Sequence, residues 1–195
     1  MARVSRAANT LRIIGGQWRS RKLEFPDVAG LRPTPDRVRE TLFNWLAPVI
    51  AGARCLDLFA GSGALGFEAL SRGAAEVIMV ERDTAAVAQL RANLAILKAA
   101  NAQVIQGDAL EFLADGHDAL APFDIVFVDP PYHRGLIEPC CAQLENRNWL
   151  TSRAYIYLEA EASLQTFQLP PTYTCIRDKR AGQVGYHLAL REPKL

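Results

Sequence analysis

The chain has 195 residues, half of them hydrophobic, and a formal net charge of +1. That is enough apolar material for the core of one domain, and no apolar run reaches the ~20 residues of a membrane-spanning helix. Four cysteines without Cys-x-x-Cys spacing and three scattered histidines argue for reduced thiols, against a metal centre, and for a cytoplasmic protein.

The charge is unevenly placed. Residues 1–40 carry nine Lys or Arg against four acids, and the first 22 carry six basic groups and no acid. A basic arm on a slightly acidic body suggests a polyanion bound at one end, and the Arg-rich start is not a signal peptide. Residues 1–10 are expected to form a disordered basic tail. Leu11–Ile14 and Lys22–Phe25 then read as a β-hairpin turning at Gly15-Gly16. Arg12, Arg19, Arg21, Lys22 and Trp18 decorate it, a mixture of cations and an indole that suits phosphates and stacked bases. Trp18 could equally pack the hairpin onto the body. Thr34 or Asp36 can cap the next helix, whose apolar side is Val38, Leu42, Phe43, Trp45 and Leu46. Arg32, Arg37 and Arg39 cluster at its start and join the candidate nucleic-acid contacts.

From residue 54 strands and helices alternate. Strands are predicted at Arg54–Phe59, Glu76–Val80, Gln103–Gln106, Asp124–Val128 and Ala154–Glu159. Helices are predicted at Ala64–Arg72, Thr84–Lys98, Ala109–Leu113 and Leu136–Glu145. This is βαβ repetition, and hence an α/β, Rossmann-like, mostly parallel sheet with helices on both faces. Tyr173–Lys179 and Val184–Leu190 close the chain as an antiparallel hairpin.

Ligands of such sheets bind beyond the carboxyl ends of the strands. The first end runs Asp57-Leu58-Phe59-Ala60-Gly61-Ser62-Gly63-Ala64-Leu65-Gly66 and matches G-x-G-x-x-G, which alone admits NAD(P), FAD or S-adenosylmethionine. Asp57 would repel a pyrophosphate but attract an ammonium group, which favours S-adenosylmethionine. Glu81 stands 20 residues beyond Gly61, where an acid that binds ribose hydroxyls is expected. Asp108 can accept from an adenine amine, with the Ala109 amide beside it, or simply cap a helix. Phe59, Ala60, Ser62 and Arg82 are expected to line the same groove. The fourth strand ends in Asp129-Pro130-Pro131-Tyr132. Two prolines stop the strand and leave a rigid corner of carboxylate, free carbonyls and aromatic ring. Such a corner suits a planar base with an exocyclic amine: the amine donates to Asp129 and the Pro130 carbonyl, and the base stacks on Tyr132.

With these motifs the sequence resembles the class I S-adenosylmethionine-dependent methyltransferases of exocyclic amines. More closely it resembles the RsmD-type 16S ribosomal RNA guanine-N2 methyltransferases of bacteria. The likeness rests on Arg12–Arg19, Leu31–Leu46 with its Arg-Pro-Thr and Arg-Glu-Thr-Leu-Phe blocks, Asp57–Gly66, Asp129–Tyr132 and Gly182–Tyr186. Ser20 departs from it, since the family commonly has Gly after Trp-Arg. The resemblance implies one guanine of small-subunit RNA as substrate, within the 30S particle. It gives residues 11–50 as an RNA-binding hairpin and helix and 51–195 as the catalytic domain, with a monomer expected. Two rivals stay open: a DNA adenine or cytosine amino-methyltransferase, and a non-catalytic RNA-binding assembly factor.

Overall fold

A computed structural model describes residues 9–28, 31, 33–116, 120–162 and 168–192. Most of the predicted basic tail, and Arg32, lie outside the described residues. In chain order the elements are β1 (Asn9–Arg12), β2 (Lys22–Phe25), α1 (Asp36–Leu46), β3 (Arg54–Asp57), α2 (Ala64–Ser71), β4 (Glu76–Glu81) and α3 (Thr84–Leu97). There follow β5 (Ala102–Gln106), α4 (Ala109–Asp115), β6 (Phe123–Val128), α5 (Ile137–Asn146), β7 (Leu150–Glu161), β8 (Tyr173–Ala181) and β9 (Val184–Arg191).

Seven strands form one sheet in the order β5-β4-β3-β6-β7-β9-β8. The first five are parallel, because each is reached through a helix, and β9 and β8 add antiparallel to that edge. The chain winds outward from β3 in one direction and from β6 in the other. The crevice between β3 and β6 is therefore the topological switch point, where open α/β sheets bind ligands.

Strand residues alternate between two cores, as a sheet covered on both faces requires. Cys55, Val77, Met79, Ile125, Phe127 and Tyr157 face a core that also takes in Val38, Leu42, Phe43 and Leu46 of α1, Phe67 of α2, and Leu11, Ile13, Leu23 and Phe25 of the hairpin. Leu56, Ile78, Val80, Val126, Val128, Ile156 and Leu158 face a second core closed by α4 and α5. The N-terminal hairpin thus shares a hydrophobic core with the sheet.

Gly15-Gly16 lies in the connection of that hairpin, which is longer than a two-residue turn. Pairing continues past β1, with the Ile13 amide donating to the Arg21 carbonyl at 2.9 Å and the Ser20 amide to the Ile13 carbonyl at 2.8 Å. The glycines lie instead flat against the end of α2. Ile14 and Gly15 amides donate to the two carboxylate oxygens of buried Glu68, each at 2.8 Å. Gln17 and Trp18 amides donate to the Ser71 carbonyl and hydroxyl, and that hydroxyl donates to the Gly15 carbonyl at 2.6 Å. A Cβ on Gly16, whose φ is +75°, would stand 1.8 Å from the Ser71 carbonyl oxygen. Glycine is needed here for close approach of two backbones. The chain reverses over Gly16–Arg21, where the Arg19 amide donates to the Gly16 carbonyl at 3.2 Å and the Arg21 amide to the Trp18 carbonyl at 3.0 Å; Ser20 there holds a φ of +70°, a left-handed conformation that glycine adopts more readily.

The expected helix cap also differs. The residue preceding α1 is Pro35, and no side chain caps the helix. Thr34 is buried and bonds elsewhere, as described next. Pro35 occupies the N-cap with φ −56° and ψ 144°, and its ring has no acceptor to offer the helix amides.

Candidate active site

The strand order sets the acids side by side along one edge of the sheet: Asp108 after β5, Glu81 on β4, Asp57 on β3, Asp129 after β6 and Glu159 on β7. The register fixes the last pair. Phe127 stands beside Tyr157 and Val128 beside Leu158, so the next step sets Asp129 beside Glu159 on adjacent parallel strands. Side chains alternate, so both acids continue the face that carries Phe127 and Tyr157.

The glycine loop is held in a conformation that requires its glycines. Gly61 has a φ of +51° and Gly63 of +80°, and a Cβ on Gly63 would run into the Phe67 ring at 2.2 Å. Gly61 also donates to Glu81 Oε2 at 2.8 Å, while Asp83 donates to Oε1 at 2.8 Å, so Glu81 ties the loop to β4. Asp83, in turn, caps α3 by accepting from the Ala86 amide. Asp57 is buried beneath the loop and accepts from the Gly66 amide at 3.2 Å through Oδ2. Its Oδ1 is buried with no hydrogen-bond partner among the described residues. Burial raises its carboxyl to about 7 against the lowering effect of the Phe59 and Gly66 amides, with the charge of Glu81 adding to the rise. An unpartnered buried acceptor beneath a glycine-containing loop fits a ligand that brings a donor, such as an ammonium group.

Phe59 is half-buried; Ala60, Ser62 and Ala109 are buried; and Arg82 is exposed. Asp108 is exposed and caps α4, accepting from Leu110 at 2.8 Å and Glu111 at 3.3 Å, both on Oδ1. The helix-cap role is present, and it leaves Oδ2 out of those two bonds.

At the Asp129 corner the sequence had given the tetrad but not its supports. Thr34 Oγ1 donates to Asp129 Oδ2 at 3.2 Å. Tyr132 donates to Glu159 Oε1 at 3.1 Å, and Tyr157 to Glu159 Oε2 at 2.7 Å. Tyr132 is nevertheless 39% exposed, so its ring remains open to a stacking partner. Burial raises the carboxyls of both Asp129 and Glu159, and the Glu159 charge raises Asp129 further. A cavity of about 210 Å³ opens here, lined by Pro130, Pro131, Tyr132, Glu159 and Glu161 among others. Thr34 was expected only as a helix cap, and Glu159 only as the end of a strand. A lone acid ending the apolar run Tyr155–Leu158 was the available signal for Glu159.

The expected RNA contacts divide. Arg12, Arg19, Arg21, Lys22 and Arg37 are exposed, and Arg12 stands opposite Lys22 across the hairpin. Arg12 also pairs with exposed Asp36 at 3.0 Å. Trp18 is half-buried and packs against the shared core. Arg39 is a correction: it is 1% exposed and inside the molecule. Its guanidinium donates to the carbonyls of Thr34 and Arg12 and to Asp36, and lies 3.6 Å from Glu68. A group so enclosed joins the hairpin, α1 and α2, and offers no face to a phosphate.

The comparisons add the following. A family model described as "Conserved hypothetical protein 95" matches residues 11–190. The ribosomal RNA small subunit methyltransferase D of Escherichia coli strain K12 is 56% identical over 93% of this chain and 90% of its own length. The protein of the same name from Haemophilus influenzae is 46% identical over 93% of this chain and 94% of its own. The solved structure of Escherichia coli yhhF superposes with a TM-score of 0.88 at 52% identity, over 95% of this chain and all of that one.

Proposed function

Since the chain belongs to the Conserved hypothetical protein 95 family, that of the small-subunit ribosomal RNA methyltransferases D, we propose that it methylates the N2 amine of one guanine of 16S ribosomal RNA. Membership makes the chain an S-adenosylmethionine-dependent methyltransferase acting on small-subunit RNA. A DNA amino-methyltransferase and a non-catalytic assembly factor are not supported by these relatives. The guanine N2 atom, the assembled 30S particle as substrate, a monomeric state and a cytoplasmic location are the finer parts of the proposal.

One observation supports the chemical reading: β3 and β6 are neighbouring parallel strands, so the glycine loop and the Asp129 corner leave the sheet side by side at the switch point. The unpartnered Asp57 oxygen and the Gly61–Gly63 backbone are proposed to hold the methionine end of the cofactor, Glu81 its ribose, and Asp108 with Ala109 its adenine. When bound, S-adenosylmethionine supplies an electrophilic methyl group. Asp129 and the Pro130 carbonyl accept hydrogen bonds from the guanine amine. They orient a weak nucleophile, whose lone pair is delocalised into the ring, and stabilise the positive charge that grows on it. Thr34 fixes the rotamer of Asp129. The ring of Tyr132 takes a base turned out of its helix. Asp129 then receives the proton that the amine must lose. Arg12, Arg19, Arg21, Lys22 and Arg37 are proposed to hold the RNA backbone, which adds affinity without sequence information.

The test is label transfer from methyl-labelled S-adenosylmethionine to naked 16S RNA, to 30S particles lacking the modification, and to duplex DNA. Label in the particles is the expected outcome. Label in DNA, or none in RNA, overturns the proposal.

A further inference from the structure

Glu159 has no place in the mechanism above, yet it is among the most deliberately held side chains in the molecule. It is 3% exposed, and two phenol hydroxyls donate to it, one on each oxygen. It lines the cavity beside the tetrad and stands next to Asp129 by strand register. Two neighbouring carboxylates are thus buried together. Among the described residues the hydrogen bonds to the pair come from two phenols and a threonine hydroxyl; His133, which pairs with Glu161 at 3.2 Å, and Arg134 line the same cavity. Burying such a pair is costly, and either a retained proton or the donors of a ligand relieve it.

The edge of guanine supplies them. Its N1–H and N2 amine are donors on adjacent positions, whereas adenine presents one amine and, at N1, a lone pair. Each carboxylate oxygen can accept two hydrogen bonds, so Glu159 keeps acceptor capacity after the phenols are counted. We propose that Glu159 selects guanine by accepting from N1–H of the target base while Asp129 accepts from the N2 amine. Adenine in the same pose would set its N1 lone pair against an ionised Glu159, whose two phenol donors are already engaged with the carboxylate. Tyr157 acts as a positioning residue that holds Glu159 from below, and Tyr132 links the selecting acid to the stacking ring.

This inference rests on the guanine-N2 reading, and the experiment separates the two. The target position is first mapped in 30S particles by label transfer. Small-subunit RNA is then ligated to carry 2-aminopurine there and assembled into particles. This base keeps the N2 amine but has no hydrogen on N1. The wild-type chain should methylate guanine about 100-fold faster than 2-aminopurine, the scale of one good base contact. Glu159→Gln should slow guanine and bring the two bases within about tenfold, while calorimetry shows S-adenosylmethionine bound as before. Tyr157→Phe should slow guanine but keep the preference. A merely structural Glu159 would lower both rates equally and leave their ratio unchanged. Equal wild-type rates on the two bases, or a preserved ratio in Glu159→Gln, overturns the selection proposal alone. Wild-type label outside guanine overturns the underlying reading, and this one with it.

Discussion

Glu68→Gln tests how the RNA-facing hairpin is fastened. Glu68 is fully buried on α2 and serves four partners: the amides of Ile14 and Gly15, Arg72 at 2.7 Å and Arg39 at 3.6 Å. Glutamine keeps the volume, so no cavity opens. Its NH2 cannot accept from a backbone amide, and the charge facing two guanidinium groups disappears. Removing one partner of a buried ion pair costs about 3–5 kcal/mol, and each orphaned buried amide about 1–3. Arg39 keeps Asp36 and two carbonyls, and Arg72 is partly exposed, so the lower end applies. We expect a loss of about 3 kcal/mol, which for a chain of this size lowers Tm by roughly 6–12 °C. Thermal unfolding followed by circular dichroism reads the global effect. Hydrogen exchange at Ile14, Gly15, Gln17 and Trp18 reads whether the hairpin loosens first. A Tm within 2 °C of wild type, with those amides equally protected, would refute the idea that Glu68 anchors the hairpin.

Gly16→Ala should undock the same segment and cost about 1–3 kcal/mol, because the new methyl meets the Ser71 carbonyl; a melt unchanged from wild type would contradict this. Thr34→Val removes the hydroxyl that steadies Asp129, and kcat should fall about tenfold with cofactor affinity unchanged, measured by single-turnover transfer and calorimetry; equal kcat would remove Thr34 from the site. Asp57 stays protonated in the folded chain up to about pH 7, whereas an ordinary Asp ionises near 3.8. The folded form therefore holds the extra proton, and the contribution of Asp57 to stability falls as pH rises through that window. Asp57→Asn should flatten the pH dependence of urea unfolding there by up to about 1.4 kcal/mol per pH unit; an unaltered slope would mean that Asp57 is ionised throughout.

The alternation of strand and helix was legible because buried parallel strands are short β-branched runs, as in Phe123–Val128, and their helices begin at acids such as Asp83 and Asp108. Element limits moved mainly where a strand outlasts its apolar core. β7 runs on to Glu161 because β9 pairs with it from Ala154 to Glu161, and it starts at Leu150 beside Phe123 of β6, partnerships that the local pattern does not display. The acids at the strand ends were visible as chemistry at odds with apolar neighbours. What stayed hidden depends on distant contacts. Thr34 looked like a helix cap because threonine before a helix usually is one. Its actual partner lies 95 residues away. Arg39 looked like its exposed neighbours Arg37 and Glu40, and only the packing of α1 against Glu68 turns it inward. Gly15-Gly16 carried the signature of a tight turn, but glycine serves close approach as well as reversal, and local sequence does not tell the two apart.

Mass spectrometry of nucleosides from 30S particles treated with the wild-type chain or Asp129→Ala tests the central claim most directly. The account predicts N2-methylguanosine at one position with the wild type, and none with the variant, which still binds S-adenosylmethionine. N6-methyladenosine as the product, or wild-type yields of N2-methylguanosine from Asp129→Ala, would contradict it.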